Sequence, residues 1–152
     1  MKWITRERPK TDRVACPWLI RRFIDPDAEI VYVASEEVLA VATATGGHSF
    51  DAPGAEYTHR VTGADDEWCT FETLVDAYGL GANRALARLA KIIHAADISA
   101  DVDTDALGLG LLAIGVGGLD VEADDQRLLD RATFVYDALY AWCERVIRNT
   151  SV

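Results

Sequence analysis

Three histidines, His48, His59 and His94, are the only imidazoles in the chain, and two of them have an acid at a spacing that suits metal chemistry. Glu56-Tyr57-Thr58-His59 is an E-x-x-H pair, and His94-Ala95-Ala96-Asp97 is an H-x-x-D pair. Residues three apart share one face of a helix, so His94 and Asp97 can point at one centre. At about 100° per residue, Asp97 falls in the middle of the apolar face that Leu86 and Ile93 define, with His94 at its edge. A buried carboxylate needs a partner. A divalent cation, an arginine or a backbone N–H would each serve, so the pair reads either as metal ligands or as a hydrogen-bonded core pair. Glu56 and His59 fall in a polar loop, where plain exposure to solvent is the alternative to ligation. His48 reads as a sheet residue with no special role.

The thiols offer a second chemistry. Cys69 precedes an expected helix start, where the helix dipole favours a thiolate, so it could be redox-active or a soft ligand. Cys16, beside Pro17-Trp18, could act in the same way. The alternative for both is a buried apolar side chain, because unpaired cysteine is among the most buried residue types. Cys143 reads as core. Three cysteines without a C-x-x-C spacing suit a reducing compartment, and the charged Met-Lys-Trp start is no signal peptide, so a cytoplasmic protein is expected. P-loop, G-x-S-x-G and strand-following G-x-G-x-x-G patterns are absent.

These residues need elements to hold them. Strands are expected at Lys2 to Thr5, at Glu29 to Val33 and at His48 to Phe50. A helix is expected from Pro17 to Phe23, since proline suits a first helical turn. Another should run from Glu36 to Ala44, capped by Ser35 and stopped by Gly46-Gly47. Residues 51–67 read as a loop. Beyond residue 70 the chain reads as helix, with Thr70, Asn83, Thr104 and Asp124 as caps. In the last helix, apolar positions 128, 132, 135, 139, 142 and 146 form a stripe that Leu129, Tyr136 and Cys143 widen. Five glycines, at 108, 110, 115, 117 and 118, fall in an apolar helix and make sense where other backbones approach closely. The expected architecture is α+β, predominantly helical, with a small sheet built mainly from the N-terminal third.

Composition bounds the rest. The 152 residues are 50% hydrophobic and 26% charged, as in a globular chain, and fit one domain over 1–152. The charge-free run Ala106 to Leu119 is 14 residues, too short to span a bilayer, so no membrane partner is expected. A net charge of −10 argues against coating nucleic acid, and no basic recognition helix is visible. The first 22 residues depart from this, with seven basic and two acidic side chains. Such a segment either binds an anion or docks on the acidic remainder of the fold.

The run Lys2-Trp3-Ile4-Thr5-Arg6-Glu7-Arg8-Pro9-Lys10, followed by Asp12 to Pro26, strongly resembles the chromate-resistance protein family of ChrB type. So do Phe50-Asp51-x-Pro53-Gly54-x-Glu56-x-x-His59, Cys69-Thr70-Phe71-Glu72, Ile93-His94-x-x-Asp97 and Tyr136 to Cys143. The resemblance implies a link to chromate resistance. Longer members look like chromate-responsive regulators in which a separate DNA-binding segment precedes this region, so direct nucleic-acid contact is not expected here. With both acid–histidine pairs on family motifs, Glu56, His59, His94 and Asp97 become the expected ligands of zinc, iron or manganese. An inorganic oxyanion such as chromate, a tetrahedral dianion, is a ligand that forked guanidinium groups can grip. Arg6, Arg8, Lys10, Arg13 and Arg21 are the candidates. Arg22 is instead placed to stack on Trp18, four residues earlier. The favoured expectation is a sensor domain with a regulatory protein partner or a second copy. The alternative is a small metal-dependent enzyme acting on an anionic substrate.

Overall fold

The computed structural model describes residues 1–64 and 66–150. Its N-terminal third builds a three-stranded parallel sheet in the order β2-β1-β3, from β1 (Lys2–Arg6), β2 (Glu29–Val33) and β3 (His48–Ser49). Parallel neighbours need crossovers. The first is α1 (Asp12–Leu19), which runs on as a π-helical turn over Ile20–Ile24. The second is α2 (Val38–Thr45), closed by Gly46 in the left-handed region. Alternation along β1 places Trp3 in the main core and Ile4 in a smaller cluster with Val38 and Ala42 of α2, so both faces of the sheet are covered.

A two-stranded antiparallel hairpin follows, β4 (Arg60–Gly63) against β5 (Asp66–Trp68). Then come α3 (Thr70–Ala77), α4 (Arg84–Asp97), a 3-10 segment over Ser99–Thr104, α5 (Ala106–Val121) and α6 (Asp125–Asn149). The α+β, predominantly helical architecture is the expected one. Asn83 and Asp124 cap α4 and α6 as their types suggest, each accepting a backbone N–H of the first turn. Asp105 caps α5 in place of Thr104, and Cys69 stands at the N-cap of α3 in place of Thr70.

Three departures have physical reasons. The first helix begins at Asp12, with Pro17 inside it. Proline removes the hydrogen bond to the carbonyl four residues back. That carbonyl, of Arg13, accepts instead from the Tyr32 hydroxyl at 2.8 Å, so a β2 side chain makes the interior proline tolerable. The loop over residues 51–67 contains the β4–β5 hairpin, whose β4 residues are all exposed and so carry no alternating apolar signal. In α6 the buried residues are Leu128, Leu129, Tyr136, Tyr140 and Cys143, while Trp142 is exposed. The stripe is therefore rotated toward the tyrosines. Their hydroxyls reach Thr11 O and Asn83 inside the fold, which lets a polar-tipped residue serve as core.

Removing the Tyr32 hydroxyl isolates the proline compensation. Tyr32→Phe should lower unfolding stability by about 1 kcal/mol, the net value of one part-buried hydrogen bond. Chemical denaturation of the variant against the parent reads this directly.

Candidate metal centre

The functional cluster forms where four segments meet: the start of α1, the loop after β3, the residue before β4 and the end of α4. Asp12, the first residue of α1, is 1% exposed. Its Oδ2 accepts the backbone N–H of Thr70 at 2.6 Å and, more weakly, that of Phe71 at 3.4 Å. These are unpaired donors of the first turn of α3. Its other oxygen, Oδ1, is buried with no hydrogen-bond partner among the described residues. Asp51 lies just beyond β3 and is 5% exposed. Its Oδ1 accepts the Thr70 hydroxyl at 2.9 Å, and its Oδ2 lies 3.0 Å from Arg6 Nη2 and 3.3 Å from Arg13 Nε.

His59 faces this pair. Its Nδ1 lies 2.9 Å from Glu67 of β5, which orients the ring so that Nε2 points inward. Nε2 is 3.0 Å from Asp97 Oδ2 and 3.7 Å from both Asp12 Oδ2 and Asp51 Oδ1. Ligand atoms of Asp12, His59 and Asp97 all lie within 4.8 Å of one another. The backbone is strained on both sides: Thr11 (φ 49) precedes Asp12, and Asp51 itself has φ 48. Neither residue is a glycine, and such conformations cost about 1–3 kcal/mol each.

The charges are strongly coupled. Burial pushes the Asp12 carboxyl well above its ordinary range, and the neighbouring Asp97 and Asp51 charges push it further, against the pull of His59 and Thr70. The hydrogen bond to Asp97, together with Glu67 and the Asp12 charge, outweighs burial and raises His59 to about 9. Burial and the Arg6 charge lower Arg13, which Asp51 and Asp97 partly offset. Four carboxylates thus meet two guanidinium groups and one imidazole. Oxygen donors with a single imidazole nitrogen form a hard-to-borderline set that suits a divalent first-row cation.

Residues 3–143 match the family described as "ChrB, C-terminal domain". The chain belongs to that family. Protein ChrB of Cupriavidus metallidurans is 37% identical over 139 residues, which make up 91% of this chain and 40% of that relative. The chain thus spans well under half the length of the curated relative it matches. No solved structure matches it.

Within this ChrB-family chain, the expected ligand set divides. His59 and Asp97 meet, whereas Glu56 and His94 lie elsewhere. Glu56 turns to His48, 2.7 Å away, rather than to His59, and His48 lies in β3 as expected. His94 and Asp97 do not converge. His94 Nδ1 lies 2.7 Å from Glu72 and its Nε2 2.8 Å from Asp101, so both ring nitrogens are taken. Asp12, Asp51 and Glu67 escaped the sequence reading. Asp12 carried a usable signal, because it shares a helical face with Ala15, Cys16 and Leu19 and breaks an otherwise apolar stripe.

The basic candidates divide too. Arg6 and Arg13 reach the centre through Asp51. Arg8 donates to the carbonyls of Leu119, Glu122 and Ala123 at the end of α5. Lys10 lies against α5 at Gly115, and Arg21 reaches Ala28 O and Asp130. Arg8 and Arg21 thus make contacts within the fold, as the docking alternative for the basic segment expects, and Lys10 lays its stem against α5. Arg22 lies over Trp18 as expected, 5.6 Å from the ring centroid, and also over Tyr140. Cys16 and Cys69 are fully buried, and burial pushes both thiols well above their ordinary pKa. The helix dipole at Cys69 is outweighed, and neither offers a thiolate to a redox partner.

The doubly bonded His94 makes stability pH-dependent. Burial alone would lower its pKa, but the hydrogen bonds to Glu72 and Asp101 outweigh that and raise it. A raised folded pKa contributes stability that is complete below the unfolded value, about 6.5, and is lost as pH rises through the folded value. The stability difference between the parent and His94→Gln should therefore be larger at pH 6 than at pH 9.5, by about 1–2 kcal/mol. Denaturation of both proteins at the two pH values checks the sign.

Proposed function

We propose that this chain is a cytoplasmic metal- and oxyanion-binding module associated with chromate resistance, acting as a sensor or regulatory domain. The association rests on membership of the ChrB family and on the sequence resemblance. The observation that carries the metal is Asp12: a fully buried carboxylate whose Oδ1 is unpartnered among the described residues and whose Oδ2 lies 3.7 Å from an imidazole nitrogen, in one cluster with a second carboxylate. A divalent ion held by Asp12, His59 and Asp97 would relieve the like-charge crowding that raises the Asp12 carboxyl. Zinc, iron(II) and manganese suit the donor set, and carboxylate-rich ligation leans toward the harder two. Three buried, unpaired cysteines are consistent with the cytoplasm. Among the described residues, no helix is long and apolar enough to cross a membrane.

The oxyanion would bind on the solvent side of Asp51. The Arg6 side chain is 34% exposed there, and Arg13 lies beside it. Two forked guanidinium groups next to a cation suit a tetrahedral dianion such as chromate. Arg8 and Arg21 are engaged elsewhere, which favours Arg6 and Arg13 for this role. The enzyme alternative draws on the same geometry. Three side-chain ligands leave open coordination positions, which could hold a water next to an anionic substrate. Binding without turnover separates the sensor from the enzyme.

Elemental analysis and metal titration test the centre. The purified chain should carry or take up about one equivalent of manganese, iron or zinc. His59→Ala and Asp97→Asn should lower affinity by about 10–100-fold or more, whereas His94→Ala should leave it within a few-fold. Apparent affinity should rise with pH up to about 9, because the metal displaces the proton of His59. A chain that takes up no metal at any pH, or loses it only with His94→Ala, would sink the proposal.

The anion site has its own readout. Chromate or sulfate should raise the melting temperature of the metal-loaded parent in proportion to RT ln(1 + [L]/Kd), and Arg6→Ala or Arg13→Ala should abolish the rise. An equal rise in the parent and both variants would place the anion elsewhere.

A further inference from the structure

Helix α5 carries five glycines, and the fold accounts for three of them. A Cβ at Gly108 would meet Ala95 Cβ at 2.6 Å. At Gly115 it would meet Lys10 Cγ at 3.2 Å, and at Gly118 Leu128 Cδ1 at 3.2 Å. These face α4, the basic segment and α6, where side chains would be crowded out. Gly110 and Gly117 have nothing within 4 Å among the described residues. Each weakens the helix more than any residue except proline. No close packing among the described residues of the monomer repays that weakening.

The two unexplained glycines lie on one line. At about 100° per residue, Ala106, Gly110, Ala113 and Gly117 form the outward meridian of α5, spaced four, three and four. Large apolar side chains border it on both sides. Leu109 and Val116 form one row, each 48% exposed, and Leu107, Ile114 and Val121 form the other, with Val121 at 71%. Next to the second row an apolar groove of about 210 Å³, lined by Ile114, Val121, Leu128 and Val135, extends the surface toward α6. Up to Leu119 the outer surface of α5 thus has a small-residue floor between two apolar walls, and the exposed Asp120 follows on the same side. Such a shape lets another helix backbone come closer than the usual 8–10 Å.

Two features select a second copy of the same chain. The first is symmetry. The 4-3-4 spacing reads the same in both directions, so an antiparallel copy related by a two-fold axis sets Ala106 opposite Gly117 and Gly110 opposite Ala113. The same axis brings Leu109 against Val116 in one wall and Leu107 against Ile114 in the other. An isologous contact requires this self-complementarity, and a foreign helix does not. The second is charge. The chain carries −10, so two copies repel through most of their surfaces. The run Ala106 to Leu119 carries no charge at all, and it lies on this helix.

We propose that the outward surface of α5 is a homodimer interface, in which two α5 helices pack closely and antiparallel across their Ala106/Gly110/Ala113/Gly117 lines. A helix of 16 residues is about 24 Å long, so the contact falls below the ~800 Å² per partner of a standard interface. The dimer is therefore weak and concentration-dependent. It is independent of the metal reading, because no residue of the centre takes part.

Sedimentation velocity from low-micromolar to near-millimolar protein tests the association. The parent should shift from monomer to dimer across that range. Gly117→Glu and Ala113→Glu, both in open positions, should weaken dimerisation at least tenfold with unchanged circular dichroism. A Gly110→Cys/Ala113→Cys double variant tests the geometry, since Cys16, Cys69 and Cys143 are buried. Under mild oxidation a covalent dimer should form, and peptide mapping of that dimer, separated from any intrachain-linked monomer, should find position 110 linked to position 113 of the second copy. A parent that stays monomeric throughout would overturn the proposal and leave the surface to a different partner. So would a dimer that both glutamate variants leave intact, and links only between like positions would overturn the antiparallel arrangement.

Discussion

A carboxylate that water cannot reach organises this molecule. Asp12 sits at the first turn of α1, and burial alone makes its ionised form costly. The fold answers with the backbone N–H groups of Thr70 and Phe71, which the start of α3 leaves unpaired in any case. One contact thereby ties α1 to α3, satisfies a helix end and fixes where the carboxylate points. Asp51 repeats the device through the Thr70 hydroxyl, so the same residue of α3 positions both acids. Arg6 and Arg13 then balance Asp51, which leaves Asp12 and Asp97 to His59 or to a cation.

The surrounding backbone bears the cost of that placement. Thr11 is forced to positive φ immediately before Asp12, and the main chain there is held from several directions. Its carbonyl accepts the N–H groups of Val14 and Ala15 and, at 3.3 Å, the hydroxyl of Tyr136 from α6. Asp51, also at positive φ, donates its N–H to Tyr57 O and receives Arg6 Nε on its carbonyl at 2.6 Å. Strain at two residues that flank one cluster is over-determined by contacts from distant elements, as a strained conformation must be to persist. The final helix therefore reaches the centre, although it contributes no ligand to it.

The three N-terminal strands, the caps at Asn83 and Asp124 and the α+β class were legible because each rests on local chemistry: β-branched runs, capping side chains and a glycine after α2. The centre was half legible for the opposite reason. Asp97 announced itself as an acid on an apolar helical face, and His59 stood in a polar loop. The sequence neighbours that looked like their partners went elsewhere, because spacing along a helix says what shares a face and not what the face meets. His94 sits at the edge of the α4 face and meets Glu72 of α3, one element over from the cluster. Glu56 is three residues from His59, but that segment is not helical, so the two share no face, and the acid meets His48 instead. Asp12 and Asp51, brought in from residues far along the chain, could be assigned only once α1, the loop after β3 and α3 were seen to converge.

The ligands proposed for a cation differ in how firmly the fold holds them, and that difference bears on how occupancy could be sensed. Asp12 and Asp97 belong to helices that bury large parts of their surface. His59 leads into a hairpin whose β4 residues are all exposed. Within the hairpin His59 meets Glu67 and Arg60 lies over Trp68, and toward α3 it offers the exposed Arg60–Asp76 pair at 2.8 Å. Such exposed pairs contribute little, about 0–1 kcal/mol each. A cation joining His59 to two core-anchored carboxylates would add a far stronger tether to the least anchored of the three. Binding energy would then be converted mainly into the position of the β4–β5 hairpin, while the helices changed little. A binding module needs this division, with a rigid floor that recognises the ion and a lightly held element whose position reports it.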